Sequence, residues 1–241
     1  MKKALFVLLS VALLIPSAVF AQEKIDPEVK SRREEMLLDI ETHFPRLLYS
    51  DLCDKHFAEK ISEKENGVIL THFKKGGVWT MRQISPTPME NEGGYGIFYV
   101  PLDFGSYADF AIHIEMGIAK EYPSGTGGCF LQYTDREIVD FEKSHAVSVM
   151  IGKKIDGYTN TAYGKNSFDI LDLSDYGEVG KMYKVDIIRL NGMSYFYIDG
   201  QFLAEYKDNF DSRFTWMAGP ILFEGGEEVT CNVDNIVIRR K

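Results

Sequence analysis

The rhythm of apolar and polar residues changes once along the chain, near Leu47. Before it, Val29, Met36, Leu37, Ile40 and Phe44 recur at helical spacing, while Lys30, Arg32, Arg33, Glu34 and Glu35 occupy the other side. That pattern predicts one amphipathic helix over residues 24–44. Asp26 can cap it, Pro27 suits the first helical position, Glu28 complements the positive end of the helix dipole, and Pro45 stops it. After Leu47 the period is two. Phe110, Ile112, Ile114, Met116 and Ile118 alternate with Ala111, His113, Glu115 and Gly117, so this strand has one oily face and one more polar face. Further strands are predicted at 68–73, 78–83, 96–100, 128–133 and 146–152, then at 183–190, 193–198 and 201–206. The last three are joined by Asn191-Gly192 and Asp199-Gly200, links that favour type I′ turns and antiparallel hairpins. Strands at 220–224 and 229–239 close the chain around Gly225-Gly226. Many short strands broken by turn residues predict an all-β sandwich or barrel rather than a parallel α/β sheet. Residues 85–94, 121–127 and 158–180 are rich in turn formers and are expected as loops.

The first 21 residues read as a secretory leader. Lys2 and Lys3 precede an apolar run over 5–15, Pro16 and Ser17 break it, and cleavage is expected after Ala21. That run is too short for a membrane span, and no later one is long enough. The expectation is a soluble secreted or periplasmic protein divided into a leader (1–21), the amphipathic helix (22–46) and one β domain (47–241). The whole chain has 27 basic and 36 acidic residues, a net charge of −9, and losing Lys2 and Lys3 with the leader makes it −11. Such a balance, with its bases scattered, argues against nucleic acid or an anionic membrane surface as partner. Three cysteines remain: Cys53, Cys129 and Cys231. An odd count leaves at least one thiol unpaired, and Cys129 and Cys231 sit among apolar neighbours in strand-like runs. They read as buried thiols rather than as a bridge.

Several phrases carry a family likeness. They are the opening Leu47-Leu48-Tyr49-Ser50-Asp51, Gly77-Val78-Trp79-Thr80-Met81, Tyr107-Ala108-Asp109-Phe110, and Gly127-Gly128-Cys129-Phe130. The closing hairpins are followed by Gly219-Pro220-Ile221-Leu222-Phe223 and by Asn232-Val233-Asp234-Asn235-Ile236-Val237-Ile238. Over 47–241 this order resembles the concanavalin A-like lectin/glucanase superfamily, and within it the bacterial laminin-G-like and 3-keto-disaccharide-hydrolase-like jelly rolls. The resemblance implies an all-β, two-sheet antiparallel jelly-roll sandwich carrying a short N-terminal helix. It also implies that ligands lie on the exposed side of the curved sheet. Gln132 stands where many relatives of the disaccharide-hydrolase type have arginine, which weakens transfer of their activity.

The chemistry is mostly defined by what is missing. Glucanases of this fold carry Glu-x-Asp-x-x-Glu on one strand, where alternation sets the acids on one face. No Glu in this chain is followed by Asp two places later. Asp135 and Glu137 would face opposite to Asp140 and Glu142. There is no nucleophile elbow, phosphate loop or zinc helix, and the five histidines are dispersed. Asp169, Asp172 and Asp175 suggest at most a structural calcium, and their spacing is not that of a calcium loop. No cofactor is expected. What remains is a binding face, because sugars are held by aromatic planes ringed with acids, amides and arginine. His113, Glu115 and Gln132 are the leading positions, taken to lie on neighbouring strands, with Tyr95, Tyr158 and Tyr163 as loop aromatics at its edge and Arg82 nearby. Trp79 and Trp216 read as core anchors, and Asp234 and Asn235 as a bulge or turn. Three readings result: non-catalytic glycan binding, glycoside hydrolysis or lysis using Glu115 and His113, and a structural envelope protein docking a partner through residues 26–44.

Overall fold

Alternation after residue 46 produces two antiparallel sheets that share one interior. The structure is a computed structural model. It describes residue 31 and residues 39–63, 69–84, 109–120, 127–134, 146–152, 155–160, 168–172, 177–207, 215–222 and 228–241. A helical turn, α1 (Ile40–His43), leads into β1 (Arg46–Asp51), β2 (Phe57–Glu63), β3 (Ile69–Lys75), β4 (Val78–Ile84) and β5 (Phe110–Lys120). There follow β6 (Gly127–Thr134), β7 (Ala146–Gly152), β8 (Ile155–Asn160), β9 (Phe168–Asp172) and β10 (Tyr183–Leu190). Last come β11 (Met193–Ile198), β12 (Gln201–Lys207), β13 (Thr215–Leu222) and β14 (Glu228–Arg240). A nine-stranded sheet runs β12-β11-β10-β5-β14-β4-β3-β2, with β1 paired to the far half of β14. A five-stranded sheet runs β13-β6-β7-β8-β9.

The interior confirms the period-two reading. Phe110, Ile112, Ile114, Met116 and Ile118 point inward from β5 and are at most 1% exposed. From the opposite sheet come Cys129, Leu131, Tyr133, Val147, Val149, Ile151 and Trp216. Tyr133 ties the layers twice. Its ring meets Phe110 edge-on at 5.2 Å, and its hydroxyl hydrogen-bonds the buried Ser194 Oγ. Trp216 packs 5.8 Å from Tyr49. Both tryptophans are core residues, as expected.

Local chemistry fixes the register. The two predicted hairpin turns carry left-handed φ at all four positions: Asn191 (53°), Gly192 (75°), Asp199 (50°) and Gly200 (80°). Those values suit type I′ turns, whose twist matches the strands they join. Asp234 and Asn235 form the expected bulge. Between the pairs Asp234–Glu115 and Val237–His113, β14 spends one residue more than β5, and Asn235 turns left-handed at φ 47° to absorb it. Ile236 thereby returns to the interior.

Four strands depart from the sequence expectation. Strand β2 was not predicted. The expected loop at 158–180 contains part of β8 and all of β9, because Gly157, Asn160 and the acids of 168–172 mask their alternation. Strand β13 begins at residue 215, five earlier than expected. The predicted strand at 96–100 and the acidic cluster at 135–142 lie outside the described residues.

The N-terminal helix ends as predicted, with Pro45 following it. Its final turn packs on this chain itself. Phe44 is fully buried against Ala111, Ile188 and Tyr197 on the outer face of the nine-stranded sheet, with Ile40 beside it. Glu41 pairs with Arg239 at 2.5 Å on the neighbouring strand. Apart from residue 31, the segment 22–38 lies outside the described residues. Truncating a fully buried aromatic removes its burial energy and leaves a cavity. Phe44→Ala is therefore expected to cost about 3 kcal/mol in urea unfolding, whereas Leu47→Ala, at a residue 53% exposed, should fall within about 0.5 kcal/mol.

Candidate ligand-binding face

Because each sheet turns one face inward, two outer faces remain, and the expected site residues divide between them. His113, Glu115 and Arg82 lie on the outer face of the nine-stranded sheet. Their inward neighbours Ile112, Ile114, Met81 and Gln83 are buried. Gln132 alternates with Leu131 and Tyr133 in the other sheet, so it faces away on the opposite side of the sandwich. The expected trio of His113, Glu115 and Gln132 is thus not one groove. Two layers of sheet, packed about 10 Å apart, stand between Gln132 and the other two.

On the nine-stranded face most of these polar groups have partners, although Arg82 Nε is buried without one among the described residues. His113 Nδ1 lies 2.7 Å from Asp186 Oδ1. An ionised carboxylate only accepts, so Nδ1 carries the proton and Nε2 is the acceptor of the neutral ring. Burial alone would pull the imidazole pKa down. The hydrogen bond and charge of Asp186, joined by the charge of Glu115, outweigh it, and the net shift is upward. Glu115 Oε1 accepts from Asn235 Nδ2 at 3.4 Å. Arg82 donates to Glu228, which also meets Lys120 at 3.6 Å. The Arg82 hydrogen bond holds the Glu228 carboxyl below its ordinary pKa, against a smaller effect of burial. Thr80 donates to Asn232 at 2.9 Å.

A second polar cluster sits at the inner edge, where β1 and β4 meet along β14. Lys74 is 8% exposed, pairs with Asp51, and lies 4.6 Å from the Trp79 ring centre. Asp51 also accepts from Tyr49 Oη at 3.1 Å and from the Cys53 amide at 2.9 Å. Burial opposes ionisation of Asp51, but Lys74 and these donors prevail and its pKa is lowered. Burial, helped by the Asp51 charge, pushes the Cys53 thiol up to about 12. Trp79 Nε1 donates to His72 Nδ1 at 3.1 Å, and burial leads the lowering of the His72 pKa. Every donor here has an internal acceptor, so the cluster reads as a fastening of β1 to β3 and β4.

The outer face of the five-stranded sheet is built differently. Pairing sets Met217, Gln132, Ser148, Tyr158 and Ile170 in one row across five strands. The next row is Gly219, Phe130, Met150, Asp156 and Asp172. Tyr158, expected on a loop, is therefore a strand position two strands from Gln132. Tyr95 and Tyr163 lie outside the described residues. Phe130, Met150 and Ser148 are buried although they belong to an outward face. Gln132 Nε2 is enclosed and has no hydrogen-bond partner among the described residues. Buried amide donors are paired in the great majority of cases, and leaving one unpaired costs about 1–3 kcal/mol. Sequence reasoning singled out Gln132 and Tyr158, but missed Phe130, Ser148 and Met150, which read as core from their apolar or small character. The pairing of Gln132 with Ser148 is visible only in the register.

Asp169 and Asp172 are positions of β9, and Asp175 lies outside the described residues. Among the described residues no group of three or more His, Cys, Asp or Glu is placed to hold a metal. None of their helices is long and apolar enough to cross a membrane.

The sandwich and its strand order define an all-β jelly roll, and comparison with solved structures makes the fold more specific. A structure reported with endo-acting O-glycanases by which human gut bacteria initiate mucin breakdown matches at TM-score 0.55 and 13% identity, over 80% of this chain and 99% of that one. The endo-1,3-β-glucanase (laminarinase) catalytic domain of Thermotoga petrophila matches at TM-score 0.51 and 13% identity, over 81% and 98%. Alginate lyase A1-II′, of polysaccharide lyase family 7, matches at TM-score 0.52 and 10% identity, over 75% and 85%. The fold is the concanavalin A-like jelly roll that those structures share. No family model matches the chain, and no curated protein matches it in sequence.

The raised pKa of His113 has a definite sign in stability. A group whose pKa rises on folding adds stability fully present below its unfolded value, about 6.5, and lost as pH climbs through the folded value. The gap between the parent and Asp186→Asn in thermal unfolding is expected to be wider near pH 5.5 than near pH 9. An equal gap at both would contradict the charged pair.

Proposed function

We propose that this chain is an exported carbohydrate-binding protein that holds a glycan on the outer face of its five-stranded sheet without cleaving it. The observation that carries this is the unpartnered Nε2 of Gln132, set beside Ser148 and over the apolar floor of Phe130 and Met150. Phe130 and Met150 are already buried and the Gln132 Nε2 is enclosed, so a glycan reaches this amide by displacing what covers it, and its hydroxyl oxygens then accept from the Nε2. The other outer face offers no comparable apolar floor, and most of its polar groups are engaged: His113 with Asp186, Glu115 with Asn235, Thr80 with Asn232, and Arg82 with Glu228, the Arg82 Nε lacking a partner among the described residues. Glycan-related names among the structures of the same fold support the carbohydrate class, though at 10–13% identity they speak for architecture alone.

Charge narrows the glycan. Among the described positions of that face none is Lys or Arg, and Asp156 and Asp172 stand opposite each other one row from Gln132. With a net charge of −9 on the chain, a polyuronate would be repelled and a neutral polysaccharide would not. The same two acids favour a second reading, a glycoside hydrolase. Glycosidases work with a pair of carboxyl groups, and the strand register sets these two positions opposite each other. Binding is preferred because the chain lacks the acid motif of the fold's glucanases and because its unpaired group is a neutral amide.

Affinity gel electrophoresis discriminates these readings. Migration is expected to slow in gels containing a neutral β-glucan and to be unaffected by alginate. Gln132→Ala should weaken the interaction about tenfold, the worth of one well-placed hydrogen bond. No retardation by any of a panel of neutral and acidic glycans would sink the proposal. Release of reducing ends, abolished by Asp156→Asn or Asp172→Asn, would move it to the hydrolase reading.

A further inference from the structure

We infer that Cys129 and Cys231 form an inter-sheet cross-linking site, closed to a disulfide when the chain folds in the presence of a disulfide oxidant. Both thiols are fully buried in the shared interior, one on β6 of the five-stranded sheet and the other on β14 of the nine-stranded sheet. These strands belong to different layers and face each other across the interior. Cys231 Sγ donates to the carbonyl oxygen of Gly128, the residue before Cys129, at 3.4 Å, and both side chains belong to the same interior cluster. The third thiol is set apart, since Cys53 stands beside Asp51 and Lys74 at the inner edge. The odd count that the sequence presents therefore resolves into one pair and one single.

The reaction balances against an oxidant of the disulfide class, either a small molecule or a protein. One cysteine thiolate attacks the oxidant, releasing its first thiol and leaving a mixed disulfide. The second cysteine thiolate then displaces the other half. One S–S bond forms between Cys129 and Cys231, one breaks in the oxidant, and two electrons and two protons leave with the two released thiols. Timing follows from burial. In the closed sandwich desolvation drives the Cys231 pKa well above its ordinary value, so the thiolate does not form there. Exchange belongs to folding, before the sheets shut. An exported chain meets such oxidants at that stage.

The test uses the whole chain, refolded from a reduced, denatured state either with oxidised glutathione or with excess reductant. Each product is quenched in acid, denatured and alkylated with a maleimide mass tag. With oxidant, one tag on Cys53 and a cross-linked peptide pair containing Cys129 and Cys231 are expected, against three tags under reductant. Closing a loop of about 100 residues should raise the melting temperature of the oxidised form by roughly 10 °C. Three tags after oxidative refolding, or a bridge involving Cys53, would overturn the assignment. So would an oxidised form that melts no higher than the reduced one, because it would mean that the core strains the bond. Cys53→Ala keeps the question open to measurement if the single thiol scrambles the products. It should still yield the same cross-linked pair and no tag.

Discussion

A β-strand has two faces, and a two-layer sandwich can hide only one face of each sheet. That constraint decides most of what this chain can do. Once Ile112, Ile114 and Met116 are committed to the interior from one layer and Leu131 and Tyr133 from the other, His113 and Gln132 must point in opposite directions. A site assembled from both is then excluded by geometry, whatever their chemical suitability. The contact of Tyr133 with Phe110 and Ser194 holds this choice in place, because it spans the two layers at one residue. Slipping either strand by one position would turn its whole apolar set to water.

Much of the fold was legible for the same reason. Strand β5 announces itself by strict alternation, and the β10–β12 hairpins by Asn191-Gly192 and Asp199-Gly200, where local chemistry and tertiary structure demand the same backbone. The bulge at Asp234 and Asn235 was also foreseeable, since asparagine tolerates left-handed φ better than most residues. The edges were not legible. Strands β8 and β9 carry Gly157, Asn160, Asp169 and Asp172, so their membership of a sheet is decided by the neighbour they pair with rather than by their own composition. The candidate face was half legible. Its amide and its tyrosine were picked out singly. Which strands lie side by side is a long-range property, and no local pattern reports that Gln132 faces Ser148.

The two outer faces solve opposite problems. On the nine-stranded side, charge is neutralised within the sheet: Asp186 takes His113, Glu228 takes Arg82, and the helical turn at Ile40–His43 brings Phe44 down over Ala111, Ile188 and Tyr197. A face whose donors and acceptors are internally matched gains little from a ligand, since each new hydrogen bond must replace an old one. The nine-stranded layer is also the one stapled at its seam by Asp51 and Lys74, a pair whose value depends on staying closed. It is the structural side of the molecule.

The five-stranded side carries the mismatch. Recessed apolar groups with one unanswered amide are costly in an isolated protein and inexpensive in a complex, because the penalty is already present before the ligand arrives. Binding energy is then not spent on breaking internal hydrogen bonds. His113, its Nδ1 held by Asp186, lies on the far side of two sheets from Phe130 and Met150. A recognition surface needs complementarity on one face only, and the one proposed is the outer face of the five-stranded sheet. Cys129 lies on the inward side of β6, the strand that carries Gln132, so a bond from it to Cys231 on β14 would also steady the strand on which Gln132 is mounted.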